Sequence, residues 1–503
     1  MGIRVRLTPS TARSDRGRTL YGGTPARVMY LLPYAAALLA HSDEVEVVDR
    51  STGDLARLLV DGGLAVPVFS PTLPGVPGLA DVTVVIPVKD RAQPLTRLLA
   101  ALPPELHVLV VDDGSSDSGP GDTARSAGAT VLRHEVCRGP AAARNTGLSA
   151  VTTPFVAFLD SDVVPRSGWL KALLVHFADP AVGLVAPRIV ALDDVSPAGT
   201  SARWLTAYEK ARSSLDLGPT PALVVPRGPV SYVPSACLVG RVAAIGGGFD
   251  EDLNVAEDVD LVWRCVAAGW RVRYEPASEV AHEHRVNTGQ WLSRKAFYGT
   301  GAALLAERHP GALAPAVMAP WTAVAVVAVL CQRRWSLPVV AAASGTAVWR
   351  ISRRLHRSEH PVRGAARLVP YGLVSASWQT AGLLNRHWWP AALVGAVFSR
   401  RVRRAVVAAA LLEGLADWRR VRAEQPLLPY IAAHRLDDLA YGAGLWAGAA
   451  RARTLAPLLP DLGVGRPSRR TQGSVAASAS GAASRAASGA ASGSAPAANT
   501  GQV

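Results

Sequence analysis

A chain of 503 residues has room for two to four domains, each with its own core. Apolar residues make up 49% and charged residues only 18%, a greasy composition for a freely soluble enzyme. The net charge of +14 is concentrated: thirteen Arg, no Lys and one acid, Glu359, fall between Cys331 and Arg404, where they flank apolar runs, which favours an anionic membrane surface over nucleic acid as the partner.

The first unit is expected to be a small, helix-rich module over 1–80. Gly22-Gly23-Thr24-Pro25 precedes a helical pattern through Met29, Leu31, Leu32 and Leu38. A second helical pattern runs through Leu55, Leu58, Leu59 and Val60 and stops at Gly62-Gly63. No apolar core ahead of a cleavage site marks a signal peptide. A Pro-rich linker from Pro67 to Pro77 closes the module, whose size suits recognition or docking better than catalysis.

From Val82 short β-branched runs alternate with helical segments. The pattern predicts strands over 82–88, 107–112, 130–133, 155–159 and 271–274, with helices over 94–101, 122–127 and 140–150. This is an α/β layout around a mostly parallel sheet, and it occupies 81–310. Cys137, Cys237, Cys265 and Cys331 form no Cys-x-x-Cys pair and read as reduced apolar fillers.

Beyond Pro310 the composition changes, and 311–465 reads as an apolar, Arg-rich helical region. Residues 312–331 carry no charge and are long enough to span a bilayer, with Arg333-Arg334 as a cytoplasmic flank. The runs 337–348, 368–384 and 388–398 are further candidates, broken by Pro and Ser, so interfacial or re-entrant helices stay open. A chain cut after His309 is then expected to be a soluble catalytic unit. The Ala/Ser/Gly repeats of 466–503 have no apolar periodicity and are expected to be disordered.

Four motifs follow one another between 82 and 285. Val110-Val111-Asp112-Asp113-Gly114-Ser115-Ser116-Asp117 ends a strand, and in parallel sheets ligands bind outside the carboxyl ends of strands. Gly139-Pro140-Ala141-Ala142-Ala143-Arg144-Asn145-Thr146-Gly147 offers small residues for a close helix–sheet approach, and Arg144 to steady a phosphate or the acids. Phe158-Leu159-Asp160-Ser161-Asp162 ends a buried run in two carboxylates, which extended alternation would point to one side to hold Mg²⁺ or Mn²⁺. Ala256-Glu257-Asp258-Val259-Asp260 opens a helix, where acids are ordinary near the N-terminus but one can also act as general base. Asp258 is the favoured base, with Glu257 tuning its charge or contacting the acceptor.

The series VIPVKDR, VVDDGSSD, RGPAAARNTG, FLDSD and AEDVDLVWR resembles inverting family 2 glycosyltransferases of the GT-A fold over about 82–310. The resemblance implies a nucleotide-sugar donor, UDP-glucose, contacted by Pro87, Asp112, Asp113, Arg144 and Asp160. It also implies a divalent cation, Mg²⁺ or Mn²⁺, at Asp160 and Asp162, catalysis by Asp258 and Glu257, and His282 as the histidine that completes the metal site. His284 is the weaker candidate for that place. Processive synthases of the family carry Gln-x-x-Arg-Trp; here Gln290-Trp291-Leu292-Ser293-Arg294 has other spacing and Lys295 follows, which argues against a long-polymer synthase.

The whole arrangement further resembles the glycosyltransferases of the mycofactocin system, which decorate a small peptide-derived redox cofactor. By that resemblance the N-terminal module is similar to winged-helix-like units that grip precursor peptides. The expectation is transfer of a hexose to such an acceptor at the cytoplasmic face of the cell membrane. A lipid or cell-wall glycan acceptor, or a non-catalytic scaffold, are the alternatives; the paired acids speak against the scaffold.

Overall fold

The computed structural model describes residues 3–70, 73–192, 200–284 and 287–463. The tail from Arg466 lies outside the described residues. The N-terminal module is built largely from strands, which corrects the helix-rich, winged-helix-like expectation. Strands β1 (Ile3–Leu7), β2 (Ala12–Ser14), β3 (Thr19–Gly22) and β4 (Arg27–Tyr30) lead to helix α1 (Pro33–Leu38), strand β5 (Glu44–Glu46), helix α2 (Arg50–Asp61) and strand β6 (Ala65–Phe69). They form two three-stranded sheets, β5-β1-β6 and β2-β3-β4. Met29 is therefore a strand residue: Gly22-Gly23-Thr24-Pro25 turns a hairpin that pairs Leu20 with Met29, and the apolar spacing read as helical is absorbed by that pairing. The second helical pattern is realised as α2, capped by Asp49, whose carboxylate accepts from Thr52 N at 2.8 Å. The module is tied down on two sides. Ser358 Oγ donates to the buried Asp15 carboxylate at 2.6 Å, and Arg271 Nε donates to Asp61 at 2.8 Å.

The central unit begins with β7 (Val82–Val88), α3 (Ala92–Ala101), β8 (His107–Asp113), α4 (Gly119–Ser126), β9 (Thr130–His134), α5 (Pro140–Ser149) and β10 (Phe155–Leu159), close to the expected spans. There follow β11 (Val163–Pro165), α6 (Trp169–Leu174), β12 (Val182–Ala191), α7 (Thr200–Arg212), β13 (Ala222–Leu223), β14 (Cys237–Arg241), α8 (Val242–Ile245), α9 (Glu257–Ala267) and β15 (Arg271–His282). The main sheet runs β11-β15-β12-β14-β10-β7-β8-β9, with β13 on β15. It is mixed rather than mostly parallel. β10, β7, β8 and β9 are parallel, whereas β14 enters antiparallel to both β10 and β12. That insertion is invisible to periodicity, because Cys237–Arg241 is as apolar as a parallel core strand.

Helix α5 lies hard against the sheet through Gly147. A Cβ there would overlap Val85 Cγ1 and lie 3.2 Å from Val111 Cγ2. Gly147→Ala is expected to destabilise the fold by about 1–3 kcal/mol through overpacking, against the usual gain of replacing Gly by Ala in a helix. Chemical denaturation of the purified variant measures it; an unchanged or higher midpoint would mean that α5 can retreat without loss.

The remaining helices are α10 (Thr288–Arg308), α11 (Pro320–Cys331), α12 (Ser336–Arg354), α13 (Pro361–Gly382), α14 (Trp389–Phe398), α15 (Arg400–Val421) and α16 (Leu427–Arg451), with a π-helical turn at Leu383–His387. Among the described residues no helix is long and apolar enough to cross a membrane, which overturns the spanning reading of 312–331. The reason is local. Pro320 starts α11 late and Gln332 in the left-handed region ends it, leaving 12 helical residues. At 1.5 Å per residue these reach roughly 18 Å, short of the ~30 Å hydrocarbon core. The run 388–398 likewise yields a helix of 10 residues.

The chain then returns to the catalytic unit. α16 lies along α10 on a glycine seam: a Cβ on Gly444 would fall inside the Ala296 carbonyl, and one on Gly448 would sit 2.6 Å from the Thr300 oxygen. Lys295 fastens the same seam, with Nζ 3.0 Å from Glu209 and 3.2 Å from Asp437 of α16.

Candidate active site

The carboxyl ends of β7, β8 and β10 face one cleft, as the parallel pairing requires. At the end of β8 the two acids divide their work. Asp112 is fully buried; it accepts from Ser115 N at 2.9 Å and pairs with Arg133, so it props the turn beneath the cleft. Asp113 accepts from Arg138 N and Gly139 N, both at 2.8 Å, from His134 Nδ1 at 2.7 Å and from Cys137 Sγ at 3.2 Å. Burial pushes its carboxyl up, but these donors outweigh it and the net shift is downward. Pro87 precedes the end of β7, in register with Val111.

The FLDSD acids do not point the same way. Asp160-Ser161-Asp162 is a turn, with Val163 N donating to the Asp160 carbonyl at 3.3 Å, so extended alternation does not apply. Asp160 turns toward Arg144, which donates Nη2 to it at 2.6 Å and Nη1 to Glu257 at 3.0 Å. Arg144 is itself only 3% exposed and lies over the Phe249 ring at 5.3 Å. One buried guanidinium thus joins the second, third and fourth motifs. Of its two expected roles, steadying the acids is the one the geometry carries out.

Asp162 turns the other way, toward Arg91 and His282. Strand β11 sets this meeting, because Val163 pairs with His282, and the imidazole Nε2 comes within 3.6 Å of Asp162 Oδ1. His282 Nδ1 is buried without a hydrogen-bond partner among the described residues. Asp162 accepts from Arg91 on Oδ2, which leaves its Oδ1 and the His282 imidazole facing each other, a pair that suits a divalent cation of the Mg²⁺ or Mn²⁺ kind; Asp160, held by Arg144, would have to swing to join them. Outside this site, Glu413, His434 and Asp438 also converge as possible metal ligands. There Arg435 already contacts both acids and Arg212 donates to His434 Nε2 at 3.2 Å, so the charge is answered by arginine.

Asp258 opens α9. Val259 N donates to it at 2.8 Å and Ser235 N at 3.2 Å. Burial, then the Glu257 charge, push its carboxyl up to about 7 despite these donors and Arg144. Asp260, the third acid of the motif, is structural: it is buried, pairs with Arg264 at 2.7 Å and meets His309 Nε2 at 2.8 Å.

A cavity of about 50 Å³ adjoins His282, lined among others by His284, Arg294, Lys295 and Tyr298. Arg294 stacks on Tyr298 at 5.0 Å, has no carboxylate partner within ion-pair distance among the described residues, and feels the charges of Asp160 and Glu257. Arg91 and Arg294 both stand in strings quoted from the sequence, yet neither drew a role there. Basic residues are too common on surfaces to stand out without their neighbours.

Two family descriptions match the chain: "Glycosyl transferase family 2" over residues 83–226 and "Glycosyl transferase family group 2" over residues 155–412. The pre-mycofactocin glycosyltransferase of Mycobacterium tuberculosis is 45% identical over 475 residues, covering 92% of this chain and 98% of that protein. This chain belongs to glycosyltransferase family 2. The succinoglycan biosynthesis protein ExoU of Rhizobium meliloti is a more distant relative, 30% identical over 206 residues, 38% of this chain and 59% of that one. Among solved structures, the mannosyltransferase PcManGT of Pyrobaculum calidifontis, in complex with GDP-Man and Mn²⁺, aligns at a TM-score of 0.35 and 20% identity over 61% of this chain and 87% of that one. As a glycosyltransferase, the protein needs a glycosyl donor and an acceptor, and the cleft offers acids and arginines for both.

Proposed function

We propose that the protein transfers glucose from UDP-glucose to a hydroxyl of pre-mycofactocin, with inversion. The observation that carries the reaction is Asp258, a carboxyl near neutrality in the motif after Asp160 and linked to it through Glu257 and Arg144. Asp258 takes the acceptor proton as that oxygen forms the new bond to the anomeric carbon. The sugar–diphosphate bond breaks on the opposite face, and one displacement inverts the configuration. On this reading Arg294, which lines the cavity beside His282, and Arg91, which pairs with Asp162, meet the leaving diphosphate. Asp162 and His282 would hold a divalent cation, which when bound neutralises charge on the leaving diphosphate. The acceptor comes from the name of the relatives that align with nearly the whole chain.

The test is purified full-length protein with UDP-glucose and pre-mycofactocin, with Mn²⁺ or with excess chelator, read by mass spectrometry and by the anomeric coupling of the product. A β-linked hexose adduct that needs the cation, and is lost in Asp162→Ala, is expected. Equal turnover in chelator removes the metal role; transfer only to an extracted lipid fraction moves the acceptor to a lipid. The lipid reading is favoured by the exposed apolar side chains of the C-terminal region.

The same side chains support a place at the cytoplasmic face of the membrane, without a span. Trp335, Leu337, Trp349, Val397 and Phe398 are exposed, Phe398 by 86%, amid the Arg excess of 331–404. Flotation with vesicles containing anionic lipid is expected to carry the protein upward at low salt. Partial retention at 1 M salt, where the Debye length is about 3 Å, is expected from the apolar contact. Failure to float at low salt would leave the apolar face to another partner.

A further inference from the structure

Helix α16 does more than cover α10: it delivers an aromatic side chain to the neighbourhood of the base. A Cβ on Gly299 would collide with the Tyr441 carbonyl, so the two helices touch at the turn of α10 that carries Tyr298. On the other side of that turn Gly301 packs on Val255 and Ala256, immediately before Glu257 and Asp258. The Tyr441 ring carries the Arg386 guanidinium 3.9 Å from its centroid. Arg386 comes from the π-helical turn Leu383–His387, a distortion found mostly at functional positions. Three buried donors in or beside this turn have no hydrogen-bond partner among the described residues: Asn385 Nδ2, Trp389 Nε1, seated against Gly442 next to Tyr441, and Arg386 Nε, which has only Asp438 at 4.0 Å. Tyr232 closes the group. Its hydroxyl is pushed up by burial and by Asp258, further by Tyr441 and Tyr298, and down by Arg386, so it lies within electrostatic reach of all four.

We infer that Tyr232, Tyr298 and Tyr441, with Arg386 fixing the last, form an acceptor subsite for a hydroxylated ring. They are positioning residues, Tyr232 and Tyr298 from the nucleotide-sugar unit and Tyr441 and Arg386 from the helices beyond it. The inference rests on Asp258 being the base of the reaction proposed above. Phenol faces stack on a sugar or aromatic ring, and phenol hydroxyls can exchange hydrogen bonds with its hydroxyls. A flat, hydrogen-bonding lane beside a general base orients a ring hydroxyl toward it and contributes nothing to nucleotide binding.

The probe is p-nitrophenyl β-D-glucoside, which is neither the donor nor the acceptor named above, so failure of those assignments does not touch this test. Saturation-transfer NMR on the full chain is expected to show the probe bound. Tyr441→Ala should weaken it roughly tenfold, the scale of one stacking contact, while Tyr441→Phe keeps it. UDP titration is expected to be the same in all three proteins. Absence of probe binding in the wild type, or equal binding in Tyr441→Ala, overturns the subsite. If Tyr441→Ala loses UDP as well, Tyr298→Ala decides: loss of the probe alone supports the lane, and any other outcome overturns it.

Discussion

Asp258→Asn is expected to cut turnover by roughly a hundredfold to ten-thousandfold with UDP binding unchanged, because the change keeps the shape and removes only the ability to accept a proton. The wild-type rate should rise with pH through about 7 and level off above it, as Asp258 loses its proton. The variant's residual rate should lack that limb. Stability runs the other way. The folded carboxyl sits near 7 and the ordinary value is 3.8, so the folded state binds the proton more tightly between them. This contribution is fully present below 3.8 and lost as pH rises through 7. Asp258→Asn, which never ionises, should therefore melt above wild type at alkaline pH. Steady-state rates across pH and thermal melts on the same preparations read both. Near-normal turnover in the variant would pass the role of base to Glu257.

Ending the chain after His309 is expected to abolish folding of the catalytic unit. Without α16, the small-residue face of α10 (Gly299, Ala302, Ala303) loses its cover, and Lys295 loses Asp437. The buried Tyr208, whose hydroxyl donates to Asp437 at 3.0 Å, loses that acceptor too. An uncovered buried polar cluster costs several kcal/mol, a large part of the stability of any domain. The soluble yield should fall more than tenfold, and what remains should lack a cooperative melt by near-ultraviolet circular dichroism. A shorter deletion that removes only α11–α14 and rejoins the chain tests the seam from the other side. A fragment ending at 309 that melts cooperatively would make α16 a dispensable cover.

Legibility in the sequence followed the range of the interactions. Strands such as Val82–Val88 and Phe155–Leu159 were readable to the residue, because a central parallel strand is an unbroken apolar run between polar turns. The acid motifs were readable for the same reason: carboxylates directly after a buried run need a purpose. What failed was anything decided by a distant partner. Arg144 was legible as a partner for the acids, but nothing in the chain says that it will divide itself between Asp160 and Glu257, and nothing near Asp112 says that it will lie under the turn with Arg133. Residues 312–331 match a membrane span in composition, yet Pro320 and Gln332 cut the helix to 12 residues. His282 was found, but only the β11–β15 register explains why it meets Asp162. Tyr441, near the end of a long apolar stretch, carries no local signal at all.

The shared position of Arg144 has a consequence for substitution. Asp160 and Glu257 draw on one counter-ion, so neutralising either alone leaves the guanidinium buried with the other, a tolerable state. Neutralising both strands a charge in a site that is 3% exposed, which costs about 3–5 kcal/mol. The two positions are therefore expected to be coupled: replacing both Asp160 and Glu257 should cost more than the sum of the two single replacements.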